Sequence, residues 1–258
     1  MWGGDDYDFL MGRWSSLMAP QLVQYADVKD GDNVLDVGCG TGSLIGALLD
    51  VGPTVGVTGI DGSADFVEIS RRSFATSRLQ LDQGDAQSLP YWDNSFDKCV
   101  SLLVMNFIPD PRRAVEEMKR VTREGGTVTA AVWDYGDGME MLRYLWDEAV
   151  NIDETAAPKH ERNMPLCQQR ELAVLWEECG LGAVNETALT IQMDFTSFDD
   201  YWAPFLTGIG PSGSYVSSLD SAPQAKLKER LRQKLAKGSD ETAFSLKAKV
   251  WAVRGEVG

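Results

Sequence analysis

Residues 34–42, with the sequence VLDVGCGTG, constrain the fold of this chain more than any other stretch. An apolar, β-branched run leads into three glycines spaced two apart, and residues 43–50 continue with the pattern of a helix. A buried strand, a glycine turn and a helix in this order are typical of the start of a nucleotide site in an open α/β sheet. Glycine allows the tight turn and a close approach of ligand to main chain, and the helix start supplies unpaired N–H groups.

The glycine spacing and one acid distinguish between possible ligands. A dinucleotide fingerprint is G-x-G-x-x-G, whereas the third glycine here comes one residue early and Ser43 stands in its place. Asp36, two residues before Gly38, is a poor neighbour for a pyrophosphate and a good neighbour for a cation. S-adenosylmethionine (SAM), which carries an ammonium and a sulfonium and no phosphate, suits this pattern best. The alternative is a structural glycine turn between a core strand and a helix.

Composition and charge restrict the class of protein. The chain has 258 residues, 43% hydrophobic and 24% charged, which fits one large α/β domain or a core with a cap. Its formal net charge of −15 disfavours a nucleic-acid partner, because affinity for nucleic acid depends on Lys and Arg that neutralise phosphates. We therefore expect no nucleic-acid substrate.

The cysteines and the N-terminus indicate a compartment. The four cysteines form no C-x-x-C pair, so neither a metal site nor a disulfide framework is indicated, and a reducing cytoplasm is the simplest expectation. The N-terminal residues lack the basic and apolar regions of a signal peptide, and the longest apolar run is too short to span a bilayer. We expect no stable membrane insertion.

Together with later segments, the stretch 34–42 resembles the signature of class I SAM-dependent methyltransferases, and in particular of the type 11 group that acts on small molecules. The resemblance covers residues 1–135 and the last strand pair. It implies an α/β fold with a Rossmann-like seven-stranded methyltransferase sheet, helices on both faces and an inserted, mainly helical cap. The expected organisation is one methyltransferase domain over 1–258, with an N-terminal lid at 1–25, a SAM-binding core at 26–135, cap insertions at 136–240 around one core strand near 183–195, and a closing strand at 243–254.

Two acids are expected to hold the nucleoside of SAM. Asp61 ends the predicted second strand, 19 positions after Gly42, where a carboxylate can accept hydrogen bonds from both ribose hydroxyls. Its alternative role is an N-cap of the next helix. The segment 84–90 resembles the family's G-D-A-x-x-L-P, in which Asp85 would accept from the adenine amino group and the Ala86 N–H would donate to N1. The alternative there is an Asx-type turn.

The carboxyl end of the fourth predicted strand, near residue 104, is where the resemblance places the methionine part and the methyl group of SAM. This would put Leu102, Leu103, Asn106 and Phe107 beside the site. An Asn side chain cannot act as a base near neutral pH, so this strand supplies no general base.

The segment before the first predicted strand is rich in large apolar residues and carries Arg13. We expect two short helical pieces broken near Gly12 and Pro20. Residues 7–15 (YDFLMGRWS) resemble the N-terminal segment that closes over SAM in many small-molecule methyltransferases, and Arg13 can then meet the methionine carboxylate. The alternative is a helix packed on the sheet edge.

The predicted cofactor-binding residues are therefore Tyr7, Arg13, Asp36, Gly38, Cys39, Gly40, Gly42, Asp61, Gly62, Ser63, Asp85, Ala86, Leu102, Leu103 and Phe107. No catalytic residue and no metal ligand is assigned. The groups that can be considered for removing a proton are His160, Asp134, Tyr7 and Tyr201, and none stands out. We interpret His160 as a solvated loop residue.

The expected function is methyl transfer from SAM to a small-molecule acceptor by in-line displacement. The alternatives are a non-catalytic SAM-binding regulatory protein and, less favoured, an NAD-dependent oxidoreductase. The sequence identifies neither the acceptor nor the oligomeric state. Beyond residue 135 it predicts two amphipathic helices, a strand near 189–195, a Gly- and Ser-rich loop at 207–223, a last helix and the closing strand.

Overall fold

The structure, a computed structural model, describes residues 8–258, with side chains from residue 10. Within this part of the chain, seven strands form one sheet in the order β3-β2-β1-β4-β5-β7-β6. Their bounds are β1 Asn33–Val37, β2 Gly56–Asp61, β3 Leu79–Gln83, β4 Phe96–Leu102, β5 Thr122–Trp133, β6 Gly182–Phe195 and β7 Phe244–Glu256. The expected seven-stranded α/β sheet is thereby confirmed.

Five neighbouring strands run parallel, and β7 reverses direction. β1 pairs in parallel with β2 and with β4, and β2–β3 and β4–β5 are parallel as well. The Gly125 N–H donates to the Val257 carbonyl oxygen (2.8 Å), and the Val257 N–H donates back to Gly126 (2.9 Å), which makes β5 and β7 antiparallel. The strand order reverses between β1 and β4, and ligands bind outside the carboxyl ends of the strands at such a switch point.

The helices lie between the strands along the chain. α4 shows how the sequence determines one of them: the Asp110 side chain accepts from the Arg113 N–H (3.0 Å), and Pro111 occupies the first turn. In chain order the helices are α1 Arg13–Tyr25, α2 Ser43–Leu49, α3 Ala64–Ser73, α4 Pro111–Val121, α5 Glu140–Ile152, α6 Glu171–Glu178, α7 Phe198–Trp202, α8 Gly210–Ser218 and α9 Ser221–Ala236. No helix in residues 8–258 has the length and apolar character that a bilayer crossing needs.

The chain divides into two compact units. Unit A comprises Gly12–Val132, Pro165–Leu189 and Val250–Gly258, and unit B comprises, among the described residues, 8–11, Trp133–Met164 and Thr190–Lys249. Aliphatic side chains of β1, β4 and α4 form much of the core of unit A, whereas unit B buries many large aromatic side chains, among them Trp146, Phe195, Phe198, Tyr201 and Phe205. The limits of lid, core and cap stay predictions.

Three local expectations are wrong. α1 continues through Pro20, whose ring is exposed, and the carbonyl group that loses its partner belongs to the exposed Ser16. The expected loop at 207–223 contains α8 and the start of α9, because Tyr215 and Val216 are buried and packing outweighs the low helix propensity of Gly and Ser.

His160, interpreted from the sequence as a solvated loop residue, is the third correction. Its side chain is only 5% exposed. It stacks on Trp146, which the local sequence could not reveal because the two residues lie on different elements.

Candidate functional site

The three glycines of the loop after β1 all adopt left-handed backbone conformations, which favour glycine. A Cβ atom on Gly38 would lie 2.5 Å from Cγ1 of Val104, and one on Gly42 would lie 2.5 Å from the ring of Phe74. A Cβ on Gly40 would meet nothing within 4 Å. The loop is therefore packed at both ends and open in its middle.

The Asp61 carboxylate holds this loop in place. One oxygen accepts from the Gly40 N–H (2.9 Å) and the other from the Ser63 N–H (2.8 Å). The Ser70 hydroxyl donates to the Gly40 carbonyl oxygen from the other side (2.9 Å). Burial raises the pKa of the Asp61 carboxyl above its usual value, although the two N–H groups act in the opposite direction.

A cavity of about 470 Å³ opens beside this loop, entirely within unit A. The loop after β1, the ends of β2 and β3 and the turn after β4 form its walls, as expected for the switch point of the sheet. Its lining residues are Gly38, Ile60, Asp61, Gly62, Gln83, Gly84, Asp85, Ala86, Gln87, Val104, Phe107, Ile108 and Pro109.

Six of the predicted site residues line this cavity: Gly38, Asp61, Gly62, Asp85, Ala86 and Phe107. Cys39, Gly40 and Gly42 lie in the same loop, where the Cys39 N–H donates to the Ile60 carbonyl oxygen (3.0 Å). Ser63 lies directly behind the lining: its hydroxyl accepts from the Phe66 N–H and caps α3, so Asp61 is not the cap of that helix.

The remaining predicted site residues that the structure describes, apart from Asp36, lie at the end of β4 and at the start of α1. Leu102 and Leu103 are buried, and Leu103 has a φ of 64°, which is uncommon for a residue other than glycine. Arg13 is the first residue of α1, and its guanidinium carbon lies 4.1 Å from the centre of the buried Trp14 ring. Tyr7 lies outside the described residues. The roles of all these residues in binding a cofactor stay predictions.

Asp36 is the most unusual of the predicted residues. Its side chain is completely buried in β1, and neither carboxyl oxygen has a hydrogen-bond partner among the described residues. Burial, and secondarily the charge of Asp61, holds its pKa well above the usual range. The structure thus favours a neutral carboxyl at this position.

Asp85 forms the Asx-type turn that was the alternative to its expected role at the adenine, and that expected role stays a prediction. Its carboxylate accepts from the backbone N–H and from the side-chain amide of Gln87 (both 2.9 Å), which forms an Asx-type turn and lowers its pKa. The same turn lines the cavity, so turn geometry and exposure to a ligand do not exclude each other.

Sequence reasoning missed part of the lining. Ile60 and Gln83 lie at or next to the carboxyl ends of β2 and β3, a position that the strand pattern could have indicated. Val104, Ile108 and Pro109 carry no such signal, because the turn after β4 begins with the left-handed Leu103 rather than with a glycine.

Asp134, Tyr201 and His160, which were considered for proton removal, do not line this cavity. Asp134 pairs with Lys249 (2.7 Å), and the buried Tyr201 hydroxyl donates to the Met141 carbonyl oxygen (2.9 Å). Burial and the nearby Arg162 lower the pKa of His160 to about 4. All three residues belong to unit B. The contacts of Asp134 and Tyr201 join segments of that unit to each other.

Comparison with known proteins gives one family and several structural relatives. Residues 35–130 match the family described as "Methyltransferase domain". A demethylmenaquinone methyltransferase of Staphylococcus aureus (strain JH9) is 43% identical over 110 residues, which cover 42% of this chain and 46% of that protein. The match thus spans less than half the length of this curated relative.

Three solved structures share the fold. A methyltransferase of unconfirmed activity from Bacillus halodurans superposes with a TM-score of 0.59 at 18% identity, over 92% of this chain and 97% of that one. The YcgJ protein of a Bacillus gives 0.59 at 20% identity, over 93% and 97%. Phosphoethanolamine N-methyltransferase 2 of Haemonchus contortus, solved with SAM, gives 0.57 at 15% identity, over 94% and 53%. At these identities the likeness shows the fold alone.

Proposed function

We propose that the segment 35–130, which matches a methyltransferase domain family, is a class I SAM-dependent methyltransferase domain, and that the chain transfers a methyl group from SAM to a small-molecule acceptor. The observation that carries the proposal is the cavity at the switch point, where the glycine loop, Asp61 and Asp85 meet. The sequence pattern connects the glycine loop and Asp61 with SAM, and the family resemblance implies the same for Asp85.

The residues present fit this cofactor. The two oxygens of Asp61 each accept one backbone N–H, and since a carboxylate offers about four acceptor sites, two remain for ribose hydroxyls. Asp85 and the Ala86 N–H would hold the adenine beside the end of β3, close to Asp61, whose carbonyl oxygen accepts from the Gly84 N–H (3.0 Å). The open face of Gly40 leaves room for a ligand to approach the main chain.

Electrostatics favours SAM over a dinucleotide. Among the residues that line the cavity, the ionisable groups are Asp61 and Asp85, and neither Lys nor Arg contributes. Two carboxylates would repel the pyrophosphate of NAD, whereas they attract a ligand that carries positive charge. This supports the proposal against the oxidoreductase alternative.

The chemistry requires positioning more than proton transfer. When bound, SAM supplies a methyl group that its sulfonium has already activated. The apolar side chains of Val104, Phe107 and Ile108 line the cavity beside the turn after β4. There they would exclude water and hold an acceptor in line with the methyl group. We assign no general base, since no His, Cys or Lys occurs among the lining residues.

The acceptor is a separate part of the proposal. The curated relative is named for demethylmenaquinone, a small molecule, but the alignment covers less than half of either chain. We therefore propose a small-molecule acceptor without choosing its class, and a reduced naphthoquinone is one member of the panel to be tested.

Calorimetry and turnover test the proposal. We expect titration calorimetry of the full chain to show binding of SAM and none of NAD. Labelled SAM should then give product with at least one acceptor of a panel of small oxygen, nitrogen and carbon nucleophiles. Binding of NAD instead of SAM would overturn the assignment, and SAM binding without any turnover would favour the regulatory alternative.

A further inference from the structure

Gln87 joins two segments of chain that line the cavity of unit A. The first is the turn after β3, which contains Asp85 and Ala86, and the second is the turn after β4, which leads into α4. The side-chain amide of Gln87 donates to the Asp85 carboxylate (2.9 Å) and accepts from the Asp110 N–H (3.0 Å), so one side chain bridges both segments. The pattern G-D-A-x-x-L-P specifies no residue at this position, so the sequence could not predict the bridge.

The orientation of the Gln87 amide follows from its two neighbours. Its Oε1 faces the Asp110 N–H, which can only donate, and its Nε2 faces both oxygens of Asp85, at 2.9 Å and 3.2 Å. A flipped amide would place a donor against the N–H and an acceptor against the carboxylate, which is unfavourable on both sides. The amide nitrogen of Gln87 therefore points to Asp85.

The donors of Gln87 determine the charge and the orientation of the Asp85 carboxylate. Oδ1 accepts from the backbone N–H and from the side-chain amide (both 2.9 Å), whereas Oδ2 receives only the longer contact and keeps acceptor capacity. These hydrogen bonds, the side-chain one first, lower the pKa of Asp85, so the carboxylate is ionised at pH 7 and can only accept. Without them, the exposed Asp85 side chain could occupy about three staggered rotamers.

A fixed carboxylate that can only accept distinguishes purines by their substituent at C6. Adenine presents an amino group that donates and a ring N1 that accepts, which complements Asp85 and the Ala86 N–H. Hypoxanthine presents a carbonyl oxygen and an N1–H instead. An acceptor would then face the carboxylate and a donor would face the N–H, and such opposed groups lower the affinity.

We propose that Gln87 is the positioning residue that makes this cavity selective for a purine with an amino group at C6 over one with a carbonyl group there. It acts by holding the Asp85 carboxylate in one orientation from the start of α4. A carboxylate that is free to turn would move away from the carbonyl group and tolerate it. This role of Gln87 rests on the proposed function, because the ligand is taken to be the adenosyl group of SAM.

Two ligands that differ only at C6 test the proposal without turnover. S-adenosylhomocysteine carries the amino group, S-inosylhomocysteine carries the carbonyl group, and calorimetry of the full chain measures both affinities. We expect the parent protein to prefer the adenosyl ligand by at least about tenfold, the loss expected for one hydrogen bond to a charged group.

Gln87→Leu should change the two affinities in opposite directions. The adenosyl ligand should bind about threefold more weakly, because Asp85 then occupies the productive one of about three rotamers only part of the time. The inosyl ligand should bind more tightly, because Asp85 can turn away from it. Partial unfolding of the variant cannot produce this result, since it would weaken the binding of both ligands, and thermal melting measures it independently.

Gln80→Leu is the matched control. The Gln80 amide donates to the Asp82 carboxylate (2.7 Å), which is the same contact between the same residue types two positions apart, but neither residue lines the cavity. This variant should leave both affinities at their parent values.

The outcomes separate the role of Gln87 from the proposed function. If the parent protein binds no S-adenosylhomocysteine, the proposed function is overturned, and the role of Gln87 with it. If the parent binds and prefers the adenosyl ligand but Gln87→Leu keeps that preference, or weakens both ligands equally, Gln87 is not the positioning residue and the proposed function stands. A parent protein that binds both ligands equally well would also overturn the selectivity.

Discussion

At the scale of single residues, the Asp61 carboxylate has an expected role in binding and an observed role in holding the glycine loop, and one substitution removes both. Its carboxylate is the expected partner of the ribose hydroxyls, and it also holds the N–H groups of Gly40 and Ser63. Asp61→Ala should weaken SAM binding by about 1.5–3 kcal/mol, the range for hydrogen bonds to a charged group, and should also lower the melting temperature of the cofactor-free protein. Calorimetry and thermal melting measure the two effects.

The exposed Asp65, at the start of α3, provides the matched control. Asp65→Ala removes the same charge from the same region without touching the glycine loop. Equal SAM affinities of the two variants would remove Asp61 from the site.

Asp36 gives a prediction about pH. A carboxyl whose pKa is raised on folding stabilises the native state below its unfolded pKa of about 3.9, and this contribution is lost as the pH rises through the folded pKa. Asn resembles the neutral carboxyl in shape and does not titrate. The melting temperature of Asp36→Asn minus that of the parent should therefore increase as the pH rises from about 4 towards neutrality. A difference that does not change with pH would mean that Asp36 is not held neutral.

At the scale of elements, the loops after β1 and β4 fit together through Gly38 and Val104. A Cβ on Gly38 would overlap Val104, and its φ of 76° is unfavourable for alanine. Gly38→Ala should lower the free energy of unfolding by more than about 2 kcal/mol, since overpacking and a left-handed backbone each cost about 1–3 kcal/mol. Adding Val104→Ala should recover part of this loss, namely the steric part. Denaturant unfolding of both single variants and the double variant measures the coupling, and strict additivity would contradict the contact.

The segment at the start of α1 is the expected lid over SAM. Residues Asp8–Gly12 form a π-helical turn, a rare conformation that is frequent at functional sites, and Arg13 follows it. Arg13→Gln should weaken SAM binding far more than it lowers the melting temperature, since the guanidinium also lies over the Trp14 ring, and SAM should slow hydrogen exchange in residues 8–14. Arg72→Gln, a change of a more exposed arginine on α3, should have neither effect. Equal exchange with and without SAM would show that the segment is structural. Deleting residues 1–15 would test the lid less clearly, because it would also remove the buried Trp14 and Ser15 and so destabilise the fold.

The elements also show how far the sequence alone could lead. The β1–glycine–α2 unit and the capped α4 were predictable because their signals are local: positive φ values demand glycine, and Asp110 caps the helix that follows it. A glycine pair shortly after a helix is a common sign of a helix end, yet Gly125 and Gly126 lie inside β5, where a Cβ on Gly126 would lie 2.5 Å from the Asp97 carbonyl oxygen. Contacts between distant segments leave no local pattern. For the same reason the sequence could indicate Asp61 and Asp85 but not Val104 or Ile108.

At the scale of the whole molecule, the net charge of −15 should govern the response to salt. Like charges repel one another across the surface, and dissolved ions screen this repulsion. Sodium chloride should therefore raise the melting temperature between low ionic strength and about 0.15 M, where the Debye length is about 8 Å. The affinity for the cationic SAM should fall over the same range. A melting temperature that decreases with added salt would indicate that attractive ion pairs, such as those of Arg120, dominate over the net charge.

The hydrogen bonds and contacts that hold the glycine loop affect the association rate of a ligand. Gly40 is hydrogen-bonded through its N–H to Asp61 and through its carbonyl oxygen to Ser70, and Gly42 is packed against Phe74. A loop held on both sides has little conformational freedom left to lose, so an arriving molecule meets a surface that already has its final shape. Encounters with this loop are then limited by how often the two molecules collide in a suitable orientation, and not by the time that the main chain needs to rearrange.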